Sequence, residues 1–154
     1  MSGRISRREA RQQAFELIFE MSFTDMSVES IIQLAGAARD FEASAYARQT
    51  AEEVYDRREE LDGYIARLSR GRNFRRLSRV VLAALRLAIY EILYVKELDA
   101  RISINEAIEL TKKFSGQDEA SFVHGVLGGF MKAYESGEIV PVEKQAAKDG
   151  DGAE

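Results

Sequence analysis

The chain has 154 residues, 45% of them hydrophobic and 31% charged, which is enough to bury one core and suggests one globular unit of two lobes. With no cysteine and a single histidine, His124, it excludes disulfide scaffolds, cysteine-ligated zinc, iron–sulfur clusters, thiol nucleophiles and paired-histidine chemistry within one chain. The formal charge is −4, and residues 136–154 alone carry −3 through Glu138, Glu143, Asp149, Asp151 and Glu154 against Lys144 and Lys148, so the rest is nearly neutral. One proline, abundant Ala, Leu, Glu and Arg, and few β-branched residues predict an all-α fold.

From about Ser6 to Ser22, Ala10, Ala14, Leu17 and Met21 recur at the spacing that lines one side of a helix. A second helix is predicted from an N-cap at Ser27 through Val28, Ile31, Ile32 and Ala35, weakened at Gly36. A long third one runs from about Ser44 to Ser69, with Val54, Leu61, Ile65 and Leu68 on one stripe and Gly71 placed to end it. Ser78 to Val95 is apolar around most of its circumference and belongs at the centre of a bundle. Ser103 and Glu106 have the spacing of a capping box, which predicts a helix starting there. After Ser115-Gly116, Asp118 is a candidate cap for a last helix carrying Phe122, Val126 and Phe130, and the body should close near Tyr134. The domain expectation is one helical body over 1–135, with lobes of about 1–72 and 73–135, followed by an acidic disordered tail over 136–154.

No stretch approaches the roughly 20 apolar residues of a membrane-spanning helix, and the amino terminus lacks the apolar core of a secretory signal. A cytoplasmic protein without membrane partners is expected. The sequence has no phosphate-binding G-x-x-x-x-G-K-[ST] loop, no G-x-G-x-x-G after a strand and no G-x-S-x-G elbow. Glu106, Glu109 and Asp118 are explained by capping and solvation, so neither catalysis nor a cofactor or metal is expected.

Charge is more informative. Arg4, Arg7, Arg8 and Arg11 project within about a 100° arc of the first helix, and the same ridge continues to Phe15 and Phe19. Guanidinium groups pair with phosphates and unstacked bases lie on aromatic rings, so the ridge suits RNA. It equally fits a solvated helix end whose arginines snorkel over a core filled by Phe15 and Phe19. A second cluster, Arg67, Arg70, Arg72, Arg75, Arg76 and Arg79, spans the connection between lobes; it reads as an extension of that path or as a soluble connector. His124 reads as a groove-lining side chain or an RNA contact. Gly125, Gly128 and Gly129 inside a helix call for a reason, and close approach of another backbone is the expected one.

The run Ile102-Ser103-Ile104-Asn105-Glu106-Ala107-Ile108-Glu109-Leu110-Thr111-Lys112-Lys113-Phe114, followed by Phe122-Val123-His124-Gly125-Val126-Leu127, resembles the carboxy-terminal signature of the NusB family of transcription antitermination factors. Arg7-Arg8-Glu9-Ala10-Arg11 resembles the family's arginine-rich opening helix, and Leu85-Arg86-Leu87-Ala88-Ile89-Tyr90-Glu91-Ile92-Leu93 its fourth helix. The resemblance implies two packed antiparallel helical bundles of about six or seven helices. It also implies binding to the boxA element of ribosomal RNA leader transcripts together with the ribosomal protein NusE, in company with other Nus factors and RNA polymerase. It places RNA contacts at Arg7, Arg8, Arg11, Asp118, Ser121 and Phe122, to which Arg4 and His124 are added as candidates. The protein partner would meet Phe19 and Tyr90, with Phe15 and Val81 beside them. The family commonly has asparagine where His124 stands, aspartate where Gly128 stands and, in some members, an acid where Val81 stands. The alternatives are an accessory module for ribosomal RNA modification acting in trans, or a structural homodimer.

Overall fold

The structure, a computed structural model, describes residues 5–39, 41–69 and 71–141; Arg4, Arg70 and the tail beyond residue 141 lie outside them. Among the described residues the chain forms seven α-helices and one short 3-10 turn, with no strand. Helix α1, Arg7–Met21, opens on a capping box: the Glu9 amide donates to Ser6 Oγ at 3.0 Å and the Ser6 amide to the Glu9 carboxylate at 2.9 Å. The stripe of Ala10, Ala14, Leu17 and Met21 is buried as the spacing predicts, joined by Phe15 and Ile18.

Helix α2, Val28–Arg39, starts where the Ser30 amide donates to Ser27 Oγ at 3.1 Å and runs through Gly36. The single long helix expected next is two, α3 over Ala45–Asp56 and α4 over Arg58–Leu68. The chain bends at Arg57, whose guanidinium lies 3.9 Å from the centroid of Tyr94 and pairs with Glu53 at 3.3 Å. Because α3 packs on α1 while α4 packs on α5 and α7, tertiary packing overrides a continuous stripe. Gly71, at φ +78°, turns the chain out of α4 in a conformation that glycine adopts without strain.

Helix α5, Arg79–Tyr94, is capped by Ser78 and buried on most sides, and it contacts α1, α3, α4, α6 and α7. It is the shared wall of two packed bundles, α1 to α3 on one side and α4, α6 and α7 on the other. Helix α6, Ala100–Phe114, begins before the expected capping box: Asp99 is the cap, accepting from the Arg101 amide at 2.9 Å. Ser103 lies buried inside the helix, and Glu106 is directed to α1 instead of to a local amide. Helix α7, Gln117–Glu135, follows a turn at Gly116, so Asp118 sits in its first turn and not at its cap.

Beyond α7, Gly137 reverses the chain at φ +87°, and the amides of Glu138 and Ile139 both donate to the Ala133 carbonyl, at 2.9 and 3.2 Å. Ile139 is thereby buried in the core, several residues past the boundary expected at Tyr134. The short apolar run Ile139-Val140, ended by Pro141, gives no periodic signal.

The expectation for the α7 glycines is overturned. Gly125 and Gly128 are exposed, and a Cβ on either would meet nothing within 4 Å, while one on Gly129 would reach only the Leu68 side chain at 3.6 Å. No backbone approaches them. Replacing Gly128 with alanine should therefore raise stability by about 0.5–1 kcal/mol, measured by urea unfolding, because the helix gains propensity without a clash.

Candidate nucleic-acid interface

Three described arginines stand on the opening turns of α1, and the structure separates them. Arg7 is exposed, its Cζ 5.4 Å from the ring centroid of Tyr46. The Arg8 side chain is 79% exposed and donates through Nε and Nη2 to the two carboxylate oxygens of Glu106, at 3.2 and 3.0 Å. Two of the five guanidinium N–H groups are engaged in this fork, leaving three outward for a ligand.

Arg11 corrects the expected ridge. It is 2% exposed, and its Nε donates to both oxygens of Glu91, at 3.1 and 3.0 Å, with Glu91 itself fully buried. The Tyr46 hydroxyl donates to the same carboxylate, and the Arg11 Nη1 lies 3.9 Å from Glu106. A guanidinium enclosed by this set cannot reach an RNA strand in this fold. The physical reason is its partner on α5, 80 residues away, which helical spacing cannot indicate. Burial, and then the charge and hydrogen bond of Glu91, raise the Tyr46 hydroxyl well above the usual tyrosine range, so it stays a neutral donor.

The remaining expected contacts lie on α7. Asp118, Ser121 and His124 are exposed, and Phe122 is half-buried with the Arg72 guanidinium 4.0 Å from its ring centroid. No hydrogen bond or ion pair among the described residues joins this group to Arg7 or Arg8. Side chains of α6 reach across to α1: Glu106 meets Arg8, Lys113 donates to Gln12 at 2.9 Å, and Phe114 stacks on Phe15 with centroids 5.3 Å apart. From Glu106 to Phe114 is about 12 Å of helix, after which α7 begins. These contacts make α6 the bracing of the arginine-bearing helix. Glu106 and Lys113 were not legible as parts of it, since each meets α1 across about a hundred residues.

The residues expected to face a protein partner are also divided. Val81 and Tyr90 are buried in the core, Val81 completely, because α5 is enclosed on nearly every side. Neither is offered to a partner in this fold. Phe15 is buried but lines, with Phe19, Val80 and Phe114, an open apolar hollow of about 370 Å3 bordered by Glu16 and Glu20. Phe23, 60% exposed, makes an edge contact to Phe19.

The NusB family model matches residues 8–132, which include Arg8 and Arg11 of α1 and the first turns of α7. The chain belongs to the NusB family. The transcription antitermination protein NusB of Rubrobacter xylanophilus is 40% identical over 125 residues, covering 81% of this chain and 89% of that protein. Its counterpart in Acetivibrio thermocellus is 35% identical over 130 residues, covering 83% and 90%. Among solved structures, NusB of T. maritima superposes with a TM-score of 0.73 at 27% identity, covering 94% of this chain and 99% of that one. A NusB solved with NusE and double-stranded RNA shares the fold, with a TM-score of 0.73 at 24% identity over 83% of this chain and 97% of that one. The described part of this family member contains no helix long and apolar enough to cross a membrane.

The buried pair can be tested by unfolding. Arg11→Ala or Glu91→Ala should each lower the unfolding free energy by about 3–5 kcal/mol in urea, since each strands the other charge without its partner. With the Tyr46 hydroxyl raised in the folded state and ordinary, about 10, in the unfolded chain, its contribution is fully present below that pH and is lost as pH rises above it. Stability should therefore fall in alkali, and Tyr46→Phe should flatten that decline; an unchanged slope would show that Tyr46 does not titrate on unfolding.

Proposed function

We propose that this protein is a cytoplasmic, non-enzymatic transcription antitermination factor that binds the boxA element of ribosomal RNA leader transcripts together with NusE, letting RNA polymerase read through terminators in ribosomal RNA operons. The observation that carries the reading is the Arg7–Arg8 pair, displayed on a capped helix end while Arg11 and Glu91 fasten that helix to the core. The family and its curated antitermination relatives support it.

In this reading, Arg7 and the outward N–H groups of Arg8 take phosphates, supplying attraction that weakens with salt. Bases splayed from the strand meet α7, where Phe122 offers a ring and Asp118, Ser121 and His124 offer hydrogen-bonding groups. Glu106 holds the Arg8 fork in place, which reduces the freedom given up on binding. The apolar hollow of Phe15, Phe19, Val80 and Phe114 would receive NusE, replacing Val81 and Tyr90 as the partner surface. Other Nus factors and RNA polymerase would then join on the transcript.

The test is fluorescence anisotropy with a boxA-like RNA and its scrambled version, with and without NusE. The intact protein should prefer the boxA-like strand. The Arg7→Ala/Arg8→Ala protein should bind more weakly, with a salt slope shallower by about 0.7 for each phosphate left unneutralised, and should melt like the parent. Equal binding of both RNAs under both conditions would refute the reading.

A further inference from the structure

The arginine-rich connector is not used by the reading above, yet the structure sets it against the same surface. Gly71 turns the chain out of α4, and the Arg75 amide donates to Asn73 Oδ1 at 2.9 Å, closing the 3-10 turn Phe74–Arg76. Arg72, Arg75 and Arg76 are exposed on this ordered turn. Arg72 Nη1 donates to Glu119 at 3.1 Å while its guanidinium carbon stands 4.0 Å from the Phe122 ring centroid. Arg72 and Arg76, with Gly71 and Asn73, border one surface hollow of about 450 Å3. No carboxylate among the described residues pairs with Arg75 or Arg76.

We propose that Arg72 and Phe122 form a stacking clamp for one base of a single-stranded RNA: the guanidinium, which lies directly on the ring in the free protein, leaves Glu119 and lifts so that the base enters between them, with Arg76 receiving an adjoining phosphate in the hollow. This rests on the RNA-binding reading and extends it to the connector. A base has two flat faces and matches a ring already paired with a planar cation, whereas an acidic peptide would use the charge and leave the ring unused. In the free protein Glu119 holds the Arg72 guanidinium over the ring. Binding exchanges that carboxylate for the RNA, so Glu119 opposes binding.

The experiment is an anisotropy titration of the full chain against a boxA-like RNA and a set of the same RNA with single abasic positions. Arg72→Ala should weaken binding about fivefold to tenfold, in the range of a single stacking interaction. Arg72→Lys should restore little, because an ammonium keeps the charge without the plane. Against the RNA lacking the clamped base, Arg72→Ala should cost almost nothing further, and Glu119→Gln should tighten binding to the intact RNA. Circular-dichroism melting of each variant should match the parent.

If Arg72→Ala binds like the parent while Arg7→Ala/Arg8→Ala binds weakly, the clamp is overturned and the antitermination reading stands. If Arg72→Ala costs the same at every abasic position, or Arg72→Lys binds fully, Arg72 is a plain phosphate contact and the clamp is again overturned. Failure of the intact protein to prefer the boxA-like RNA, with and without NusE, overturns both.

Discussion

The arrangement depends on one interaction, the buried ion pair between Arg11 of α1 and Glu91 of α5. Two charges removed from water are costly unless each meets a well-placed partner, and this pair has close geometry plus the Tyr46 hydroxyl on its carboxylate. One donor, Arg11 Nη2, has no partner within the described structure, so the pair is not a simple gain in stability. Its effect is directional. It sets the rotation of α1 about its own axis and thereby decides which arginines of that helix meet solvent.

That rotation divides an otherwise uniform set of cations. Arg11 becomes structural, while Arg7 and Arg8, one turn earlier, are displayed. Glu106 bridges the two classes, forked to Arg8 and within 3.9 Å of Arg11. A residue that local spacing reads as half of a capping box is instead the joint between α6 and α1. The same enclosure of α5 that buries Glu91 also buries Val81 and Tyr90, leaving the hollow around Phe19 and Phe114 as the apolar surface beside the arginines.

Two bundles sharing α5 also bring segments distant in the chain into contact. The connector after α4 reaches α7 through Arg72, and α6 spans the distance from the arginines of α1 to the start of α7. On α7 the Phe122 ring is already covered by a guanidinium. The electrostatic part draws on groups of high exposure and the stacking part on a half-buried aromatic, which suits attraction at range and discrimination at contact.

Composition and hydrophobic period alone determined that the chain is helical, where α1, α2, α5 and α7 lie to within a few residues, and that α5 is central, because these follow from local spacing and from which side chains water rejects. The arginine-rich opening turn and the two signature runs were equally legible and sufficed for the family. Tertiary structure decided the break at Arg57, the burial of Ile139 and, above all, which arginine is a strut and which is displayed to solvent. Those outcomes depend on partners 80 or more residues apart, as with Arg11 and Glu91 or Arg8 and Glu106, or on helices that pull one stripe in two directions. A guanidinium carries the same charge in either role, and only the side chains folded around it distinguish them.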